Sequence, residues 1–190
     1  MFVIVVIYVV VILDDFHSGA VMSISMYKAS IPQFTKMLNN LLNILNKADA
    51  HATKKKITPS ALLEARLFPD MFHLIKQIQI VTDQVRLGCG RIAGIDLLRM
   101  EDNETTFAEL ATRIEKTIQY LAQIKPEQMD GQEAKEIKFN IGEWKFEFTA
   151  EQYLITWIIP NFYFHVTTAY NLLRHGGIEI GKSDFLGNRD

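Results

Sequence analysis

Four long segments of this sequence repeat apolar residues at intervals of three and four, and this periodicity limits the fold most strongly. Such spacing places the apolar side chains on one face of an α-helix. The first segment shows the pattern clearly, with Phe34, Leu38, Leu41 and Leu45 on one face. The segments predict helices over about 31–51, 70–93, 106–124 and 150–175. Four amphipathic helices in 190 residues predict an all-α protein built as a four-helix bundle.

Local signals predict where these helices begin and where one of them bends. Pro32 begins the first helical pattern, and Asp70 is the predicted cap of the second helix. The stretches 106–109 and 149–152 match the capping-box pattern and predict the starts of the third and fourth helices. Pro160 lies inside the fourth helix, where it predicts a kink because proline lacks a backbone N–H.

Between the third and fourth helices the apolar period changes to two. Apolar residues alternate with polar ones on both sides of Gly142, at Ile137, Phe139, Ile141, Trp144, Phe146 and Phe148. This alternation predicts a two-stranded hairpin. Because a lone hairpin is only marginally stable in water, we expect it to pack on the helices. The predicted architecture is a four-helix bundle with a small β-hairpin inserted between helices 3 and 4.

The first thirteen residues, MFVIVVIYVVVIL, are all apolar. As a helix they would rise about 20 Å, which is less than the roughly 30 Å of a bilayer core. We therefore predict that residues 1–21 form an extension outside the fold and that residues 22–190 form one helical domain of a cytoplasmic protein. The alternative is a signal segment or a membrane tether through residues 1–13, because residues 18–20 resemble a cleavage site.

Charge, cysteine content and motifs exclude several classes of function. Lys and Arg number 20 against 22 Asp and Glu, and this net charge of -2 does not suit the neutralisation of nucleic-acid phosphates. The single cysteine, Cys89, cannot form an intrachain disulfide, and its place on an apolar stripe predicts a small buried hydrophobe. The sequence has no P-loop, GxSxG or HExxH motif, so the common phosphate-loop, hydrolase and zincin functions are excluded.

Five strings in the chain closely resemble the DUF1993 family of unknown function: MSISMYKASIPQFTKMLNNLL, EARLFPDMFHLIKQIQ, ETTFAEL, PNFYFHVTTAYNLLRHGG and IGKSDFLG. The resemblance covers about Met22 to Gly187. That family is similar in fold to the DinB/YfiT-like helical bundles, so the resemblance implies this fold. Those bundles include metal-dependent enzymes, notably thiol transferases, which are often dimeric and typically use three His ligands.

His165 is the strongest candidate for a functional residue. It shares a helix face with Asn161 and Thr168, and Trp157 continues that face one turn back. A buried imidazole needs hydrogen-bond partners, and the spacings of four and three make Asn161 and Thr168 the predicted local partners. His51, at the end of the first helix, is either a partner of the helix dipole or a pocket residue. These five residues form the predicted ligand pocket.

We predict structural rather than functional roles for the remaining histidines and for the aromatic run of the fourth helix. His175 lies in a last helical turn, where a cation interacts favourably with the helix dipole. His73 lies on a polar face and is predicted to be exposed, and His17 lies in the N-terminal extension. The aromatic run 162–164 extends around the helix, so part of it is expected to leave the core.

The metal site that the resemblance implies is only partly present in the sequence. A catalytic zinc usually takes three protein ligands. DinB-like enzymes commonly place two of their His one helical turn apart, but Asn161 and Ala169 occupy the positions one turn from His165. A weaker site for Zn or Ni would combine His51, His165 and a carboxylate, Asp70 or Asp83. Our expectation is a polar pocket without a tightly bound metal.

Two functions therefore remain open, and whether the protein is an enzyme is left undecided. The first is a bundle with a small polar ligand pocket, in its catalytic form a DinB-like metal-dependent enzyme. The second is a non-catalytic, dimeric interaction or stress-related bundle, which the missing ligands and the excess of aromatic residues favour. A homodimer is expected, without a nucleic-acid or membrane partner. A pocket converging on His165 would favour the first function and a filled core the second.

Overall fold

The computed structural model of the protein describes residues 24–187. Within this range the chain is mostly helical, with one small antiparallel hairpin. The α-helices are α1 (Met26–Lys55), α2 (Pro59–Leu63), α3 (Leu74–Ala93), α4 (Phe107–Leu121), α5 (Ala150–Gln152), α6 (Ile159–His175) and α7 (Lys182–Leu186). The other elements are a 3-10 turn (Pro126–Gln128), the strands β1 (Glu136–Ile141) and β2 (Trp144–Thr149), and a π-helical segment (Tyr153–Ile158) between α5 and α6.

The long helices pack around one apolar core. Helix α3 packs against α4, α6 and the π-helical segment, and α1 packs against α4, α6 and α7. The rings of Phe34 in α1 and Phe162 in α6 meet at 4.8 Å between centroids. The prediction of a mostly helical fold with a small hairpin is confirmed. The exact four-helix bundle is not confirmed, because the short helices α2 and α7 accompany the long ones and the 150–175 stretch is divided.

Helix α1 begins five residues before the predicted position 31. Ser25 caps it, since the Ser25 side chain accepts a hydrogen bond from the Lys28 amide at 3.3 Å. Pro32 is therefore inside the helix and does not begin it. Pro32 is exposed, so water can reach the Lys28 carbonyl that the missing proline N–H leaves without its helical donor.

Helix α3 begins four residues after the predicted position 70. His73, not Asp70, is the N-cap, and its Nδ1 accepts a hydrogen bond from the Lys76 amide at 3.3 Å. Asp70 is exposed in a turn that precedes the helix. The helix continues through Gly88 and Gly90 to Ala93. A Cβ on Gly88 would lie 2.5 Å from Ile158 Cδ1, so the glycine allows the π-helical segment to approach α3 closely.

The predicted starts of the third and fourth helical segments are confirmed. Thr106 and Glu109 form a reciprocal capping box at α4, and Thr149 and Gln152 form one at α5. The fourth segment is not a uniform α-helix, because π-type hydrogen bonding runs over Tyr153–Ile158 before α6 begins. The π-helical segment ends two residues before Pro160, the position of the predicted kink. Because proline cannot donate the regular helical hydrogen bond, an irregular helix is expected close to it.

The hairpin packs against the C-terminal end of α3 and the π-helical segment, as expected. Phe139 pairs with Phe146 across the strands, and both rings contact Trp157 at 5.9 and 4.7 Å between centroids. The guanidinium of Arg91 lies 4.7 Å from the Phe139 ring centroid, and its Nη1 donates to the Tyr153 hydroxyl at 2.9 Å. The hairpin is therefore held by an aromatic cluster and by one cation of α3.

Two of the sequence predictions concern the membrane and the N-terminus. Within residues 24–187, no helix is both long and apolar enough to cross a bilayer. The predicted extension, residues 1–21, lies outside the described residues, as does His17.

Candidate functional site

The strongest sequence candidate, His165, lies in the middle of α6 and faces α3. Its Nδ1 is 2.7 Å from Oε1 of Gln77, a side chain that is only 1% exposed. The amide nitrogen of Gln77 donates to the carbonyl oxygen of Phe72 at 2.9 Å. Gln77 therefore joins three parts of the molecule: α3, α6 and the segment that precedes α3.

Burial controls the protonation of this imidazole. His165 is half-buried, and loss of solvation lowers its pKa from 6.5 to about 4. The ring is consequently neutral at neutral pH. One nitrogen of a neutral imidazole carries the proton and the other has a free lone pair. Because its pKa lies well below 7, His165 is a poor general base at that pH but a good hydrogen-bond partner.

The predicted local partners of His165 are wrong. The Asn161 amide donates to the Trp157 carbonyl at 2.7 Å, and the Thr168 hydroxyl donates to the Phe164 carbonyl at 2.7 Å. Both side chains thus bond back to their own helix, a common alternative for short polar residues in helices. Sequence reasoning missed Gln77, which lies 88 residues from His165 and carries no local signal that points to α6.

Two other predicted pocket residues lie in different surroundings. Trp157 packs into the aromatic cluster of the hairpin. His51 is half-buried in the last turns of α1, 17 residues after Phe34, whereas His165 comes three residues after Phe162. Because Phe34 and Phe162 touch, the helical rise separates the two histidines by about 20 Å or more along the helices. The structure therefore does not bring His51 to His165.

The remaining candidate ligands for a metal also lie apart from one another. Oδ1 of Asp83 accepts from Arg86 at 2.6 Å and from Arg113 at 2.8 Å, so this carboxylate is already paired with two cations. Asp70 is exposed in the turn before α3. Within residues 24–187, no three His, Cys, Asp or Glu side chains are grouped so that they could hold a metal ion. These residues therefore do not supply the donor set of a three-histidine zinc site.

The other titratable residues of interest have structural surroundings. His73 is half-buried rather than exposed, and burial together with Arg66 lowers its pKa. His175 is exposed in the last turn of α6. Cys89 is fully buried, as predicted, and burial raises the pKa of its thiol well above the usual value. A buried thiol of this kind is not a reactive nucleophile.

Arg113 is the centre of a buried charge network that the sequence did not predict. Its side chain is 1% exposed, and each of its three nitrogens donates at least one hydrogen bond. The partners are Thr82 Oγ1 at 2.7 Å, the Glu101 carbonyl at 3.1 Å, Glu104 Oε1 at 2.8 Å, Asp83 Oδ1 at 2.8 Å and Asp102 Oδ1 at 3.0 Å. Burial alone would lower the pKa of Arg113, but these carboxylates outweigh it and raise the pKa.

The same network fastens the long connection between α3 and α4, residues 94–106, which has no regular secondary structure. Lys76 binds Asp102 at 2.6 Å, and the Gln79 amide donates to Glu104 at 2.9 Å. The Tyr120 hydroxyl donates to the Asp96 carbonyl at 3.0 Å. The connection is therefore held in place by side chains of α3 and α4.

Two clefts lie beside this connection, against α4, and neither is lined by His165. Their volumes are about 580 and 460 Å³, and Arg99 and Lys116 line both. Three cationic and three acidic side chains line the larger cleft: Arg99, Arg113, Lys116, Glu101, Glu104 and Glu109. These charges balance, so the cleft has no electrostatic preference that defines a ligand.

Comparison with known proteins agrees with the fold and with the quoted strings. A crystal structure of a DinB family member protein from Shewanella denitrificans is similar to this chain, with a TM-score of 0.79 and 40% sequence identity. The match covers 86% of this chain and 92% of that chain. The fold is thus that of a DinB-like helical protein.

The family itself is defined by a sequence match. The model of DUF1993, a domain of unknown function, matches residues 26–186, and the chain therefore belongs to the DUF1993 family. The resemblance seen in the sequence strings is confirmed. No curated protein matches the chain.

Proposed function

We propose that this DUF1993 protein binds a small polar ligand at a shallow site centred on His165, without a tightly bound metal. In this proposal the four long helical segments act as a four-helix bundle that holds the site. One observation carries the proposal: a half-buried, neutral imidazole bonds through one nitrogen to Gln77. Its second nitrogen, Nε2, makes no hydrogen bond to any part of residues 24–187.

The surroundings of Nε2 suit a ligand with a polar group on an apolar body. The Phe164 ring meets the His165 ring edge to face at 5.1 Å between centroids, and Phe164 is 58% exposed. Phe72, whose carbonyl binds Gln77, is 52% exposed. The exposed Phe164 ring beside a single hydrogen-bonding nitrogen suits a ligand that stacks on the ring and makes one directed hydrogen bond.

Phenol is a suitable probe for this site, because it carries an aromatic ring and one hydrogen-bond donor. We expect millimolar phenol to shift the imidazole NMR signals of His165. The His165→Asn variant should lose the binding of phenol, and His175→Asn should retain it. His175 is the matched control, because it lies exposed on the same helix. Phenol that leaves the His165 signals unchanged, or binds His165→Asn equally, would contradict the proposal.

Zn²⁺ and Ni²⁺, added alone to untagged protein, test the metal part of the proposal. A single imidazole supplies one of the three protein ligands that a catalytic zinc usually takes. We therefore expect no stoichiometric binding of either ion. Binding of one ion per chain that is lost in His165→Ala would show that a metal belongs to the site.

A second candidate function is supported by the same exposed aromatic residues. Phe68 is 63% exposed and precedes α3 together with Phe72, while Phe164 is exposed on α6. Such apolar exposure on a bundle favours association with a second copy of the chain. Sedimentation equilibrium would then give a dimer that Phe164→Ser weakens. Trp144→Ser is the control, because Trp144 is exposed on the hairpin. A monomer over the micromolar range would contradict this second function.

A further inference from the structure

The nitrogen and the oxygen of the Gln77 side-chain amide both make hydrogen bonds, and together these bonds determine the orientation of the amide. Its nitrogen lies 2.9 Å from the carbonyl oxygen of Phe72, and its oxygen lies 2.7 Å from Nδ1 of His165. A backbone carbonyl can only accept a hydrogen bond. If the amide were rotated by half a turn, two oxygens would face each other at Phe72 with no hydrogen between them. The Phe72 carbonyl therefore selects the observed orientation.

This orientation determines the tautomer of His165. The Gln77 oxygen is an acceptor, so the imidazole nitrogen that faces it must carry the proton. The ring is neutral at neutral pH and has one proton to place, because burial lowers its pKa to about 4. With the proton on Nδ1, the lone pair is on Nε2.

The unbonded Nε2 is also open to the outside. Within residues 24–187, the one buried side-chain nitrogen or oxygen that lacks a hydrogen-bond partner is Nε of Arg86. His165 Nε2, which has no partner in that range, is therefore not sealed inside the protein. Neither Asn161 nor Thr168 competes for it, since each bonds to its own helix.

We infer that Gln77 is a positioning residue, which holds His165 as the Nδ1–H tautomer and presents Nε2 as a free hydrogen-bond acceptor to the ligand. The inference rests on the proposed function only in that a ligand binds there. It adds a specificity that the proposal alone lacks. A ligand group that donates a hydrogen bond can bind Nε2, whereas a group that only accepts is rejected.

The tautomer can be measured directly in the full chain without any ligand. Long-range ¹H–¹⁵N correlation spectra distinguish protonated from unprotonated imidazole nitrogens, and His165→Asn identifies the signals by their loss. We expect wild-type His165 at pH 7 to show a protonated Nδ1 and an unprotonated Nε2. A wild-type ring with its proton on Nε2, or one that exchanges evenly between both forms, would overturn the inference with no variant needed.

Two substitutions separate positioning from simple packing. Gln77→Met keeps the approximate volume but removes the acceptor, so the Nδ1–H preference should be lost. His175→Asn, on the same helix, leaves the Gln77–His165 pair intact, so in this control the preference should persist. A Gln77→Met protein that retains the wild-type tautomer would overturn the role assigned to Gln77.

Phenol and anisole test the predicted specificity, because they differ in whether the oxygen carries a hydrogen. Phenol should bind wild-type protein at least tenfold more tightly than anisole, and the difference should shrink in Gln77→Met. Equal affinity for the two would overturn the specificity. If neither probe binds, the proposed function fails, while the tautomer spectra still decide the role of Gln77.

Discussion

The Arg113 network and the His165–Gln77 pair are both polar groups placed between helices, yet they differ in how completely they are satisfied. Every side-chain nitrogen of Arg113 donates a hydrogen bond within the protein. His165 bonds through one nitrogen only among residues 24–187. Both depend on α3, which supplies Asp83 to the network and Gln77 to the pair.

This difference separates a structural role from a binding role. A buried group whose hydrogen bonds are all made has no capacity left for a ligand, and its removal leaves its partners unpaired. An imidazole with one nitrogen hydrogen-bonded and the other free has a fixed orientation and can still bind a ligand. We therefore assign Arg113 to the fold and His165 to the proposed site, although the two described clefts lie on the Arg113 side.

The largest expected effect comes from Arg113→Met. The substitution leaves Glu104, which is 10% exposed, without its cation, while Asp83 keeps Arg86 and Asp102 keeps Lys76. Because removal of one partner of a buried ion pair costs about 3–5 kcal/mol, we expect a loss of about 3 kcal/mol. Chemical denaturation should show this loss. Lys116→Met, an exposed position on the same helix, should change stability by less than about 0.5 kcal/mol. Equal effects of the two substitutions would remove the distinction between the regions.

The next effect is a pH dependence that belongs to His165. Its pKa is about 4 in the folded protein and 6.5 without burial. As pH falls below 6.5, the unfolded chain takes up a proton that the folded chain does not, so stability decreases until about pH 4. The loss is about 2–3 kcal/mol for a partly exposed ring.

Denaturation curves of wild-type protein and His165→Asn between pH 7 and 4 check this dependence. The variant should have the flatter profile. A smaller slope in the same direction should persist in it, because His73 also has a lowered pKa. Parallel profiles for the two proteins would mean that His165 is as well solvated in the folded chain as in the unfolded one.

The sequence predicted the helical scaffold well because periodicity is a local property. The capping boxes at Thr106 and Thr149 and the alternation of the hairpin each lie within a few residues, and the structure confirms them. The errors at Pro32 and Asp70 have a local cause too. In each case a nearby side chain, that of Ser25 or His73, also accepts a capping hydrogen bond, and the helix begins there.

The sites were harder to predict because their contacts are distant along the chain. His165 was recognised as an inward polar residue, but its partner Gln77 lies 88 residues away. The Arg113 network did leave a signal: Arg113 and Thr117 occupy buried positions on the same face as Leu110 and Ile114. Charge in an apolar stripe indicates a buried pair, but it does not identify the partner.

Arg86→Met tests a weaker member of the network. Arg86 shares Asp83 with Arg113 and also donates to the Leu98 carbonyl, but its Nε is buried without a partner within residues 24–187. Removing it deletes an unsatisfied donor as well as two contacts, and Asp83 keeps Arg113. We expect a loss of about 1–2 kcal/mol, less than for Arg113→Met. A loss as large as that of Arg113→Met would show that full satisfaction is not what distinguishes the two arginines.

The smallest expected effect concerns the start of α3, the helix that both regions share. His73 caps α3 one turn before Gln77, so His73→Ala should cost about 0.5–1 kcal/mol. Asp70→Ala, at the cap position that the sequence favoured, should be nearly neutral, because Asp70 is exposed outside the helix. His73→Asp should be as stable as wild type or more so, since aspartate is a better cap and its charge suits the N-terminal dipole. Thermal melts of the three variants check this order. If Asp70→Ala costs more than His73→Ala, α3 begins where the sequence placed it, and the turn that supplies the Phe72 carbonyl to Gln77 would have to be helical.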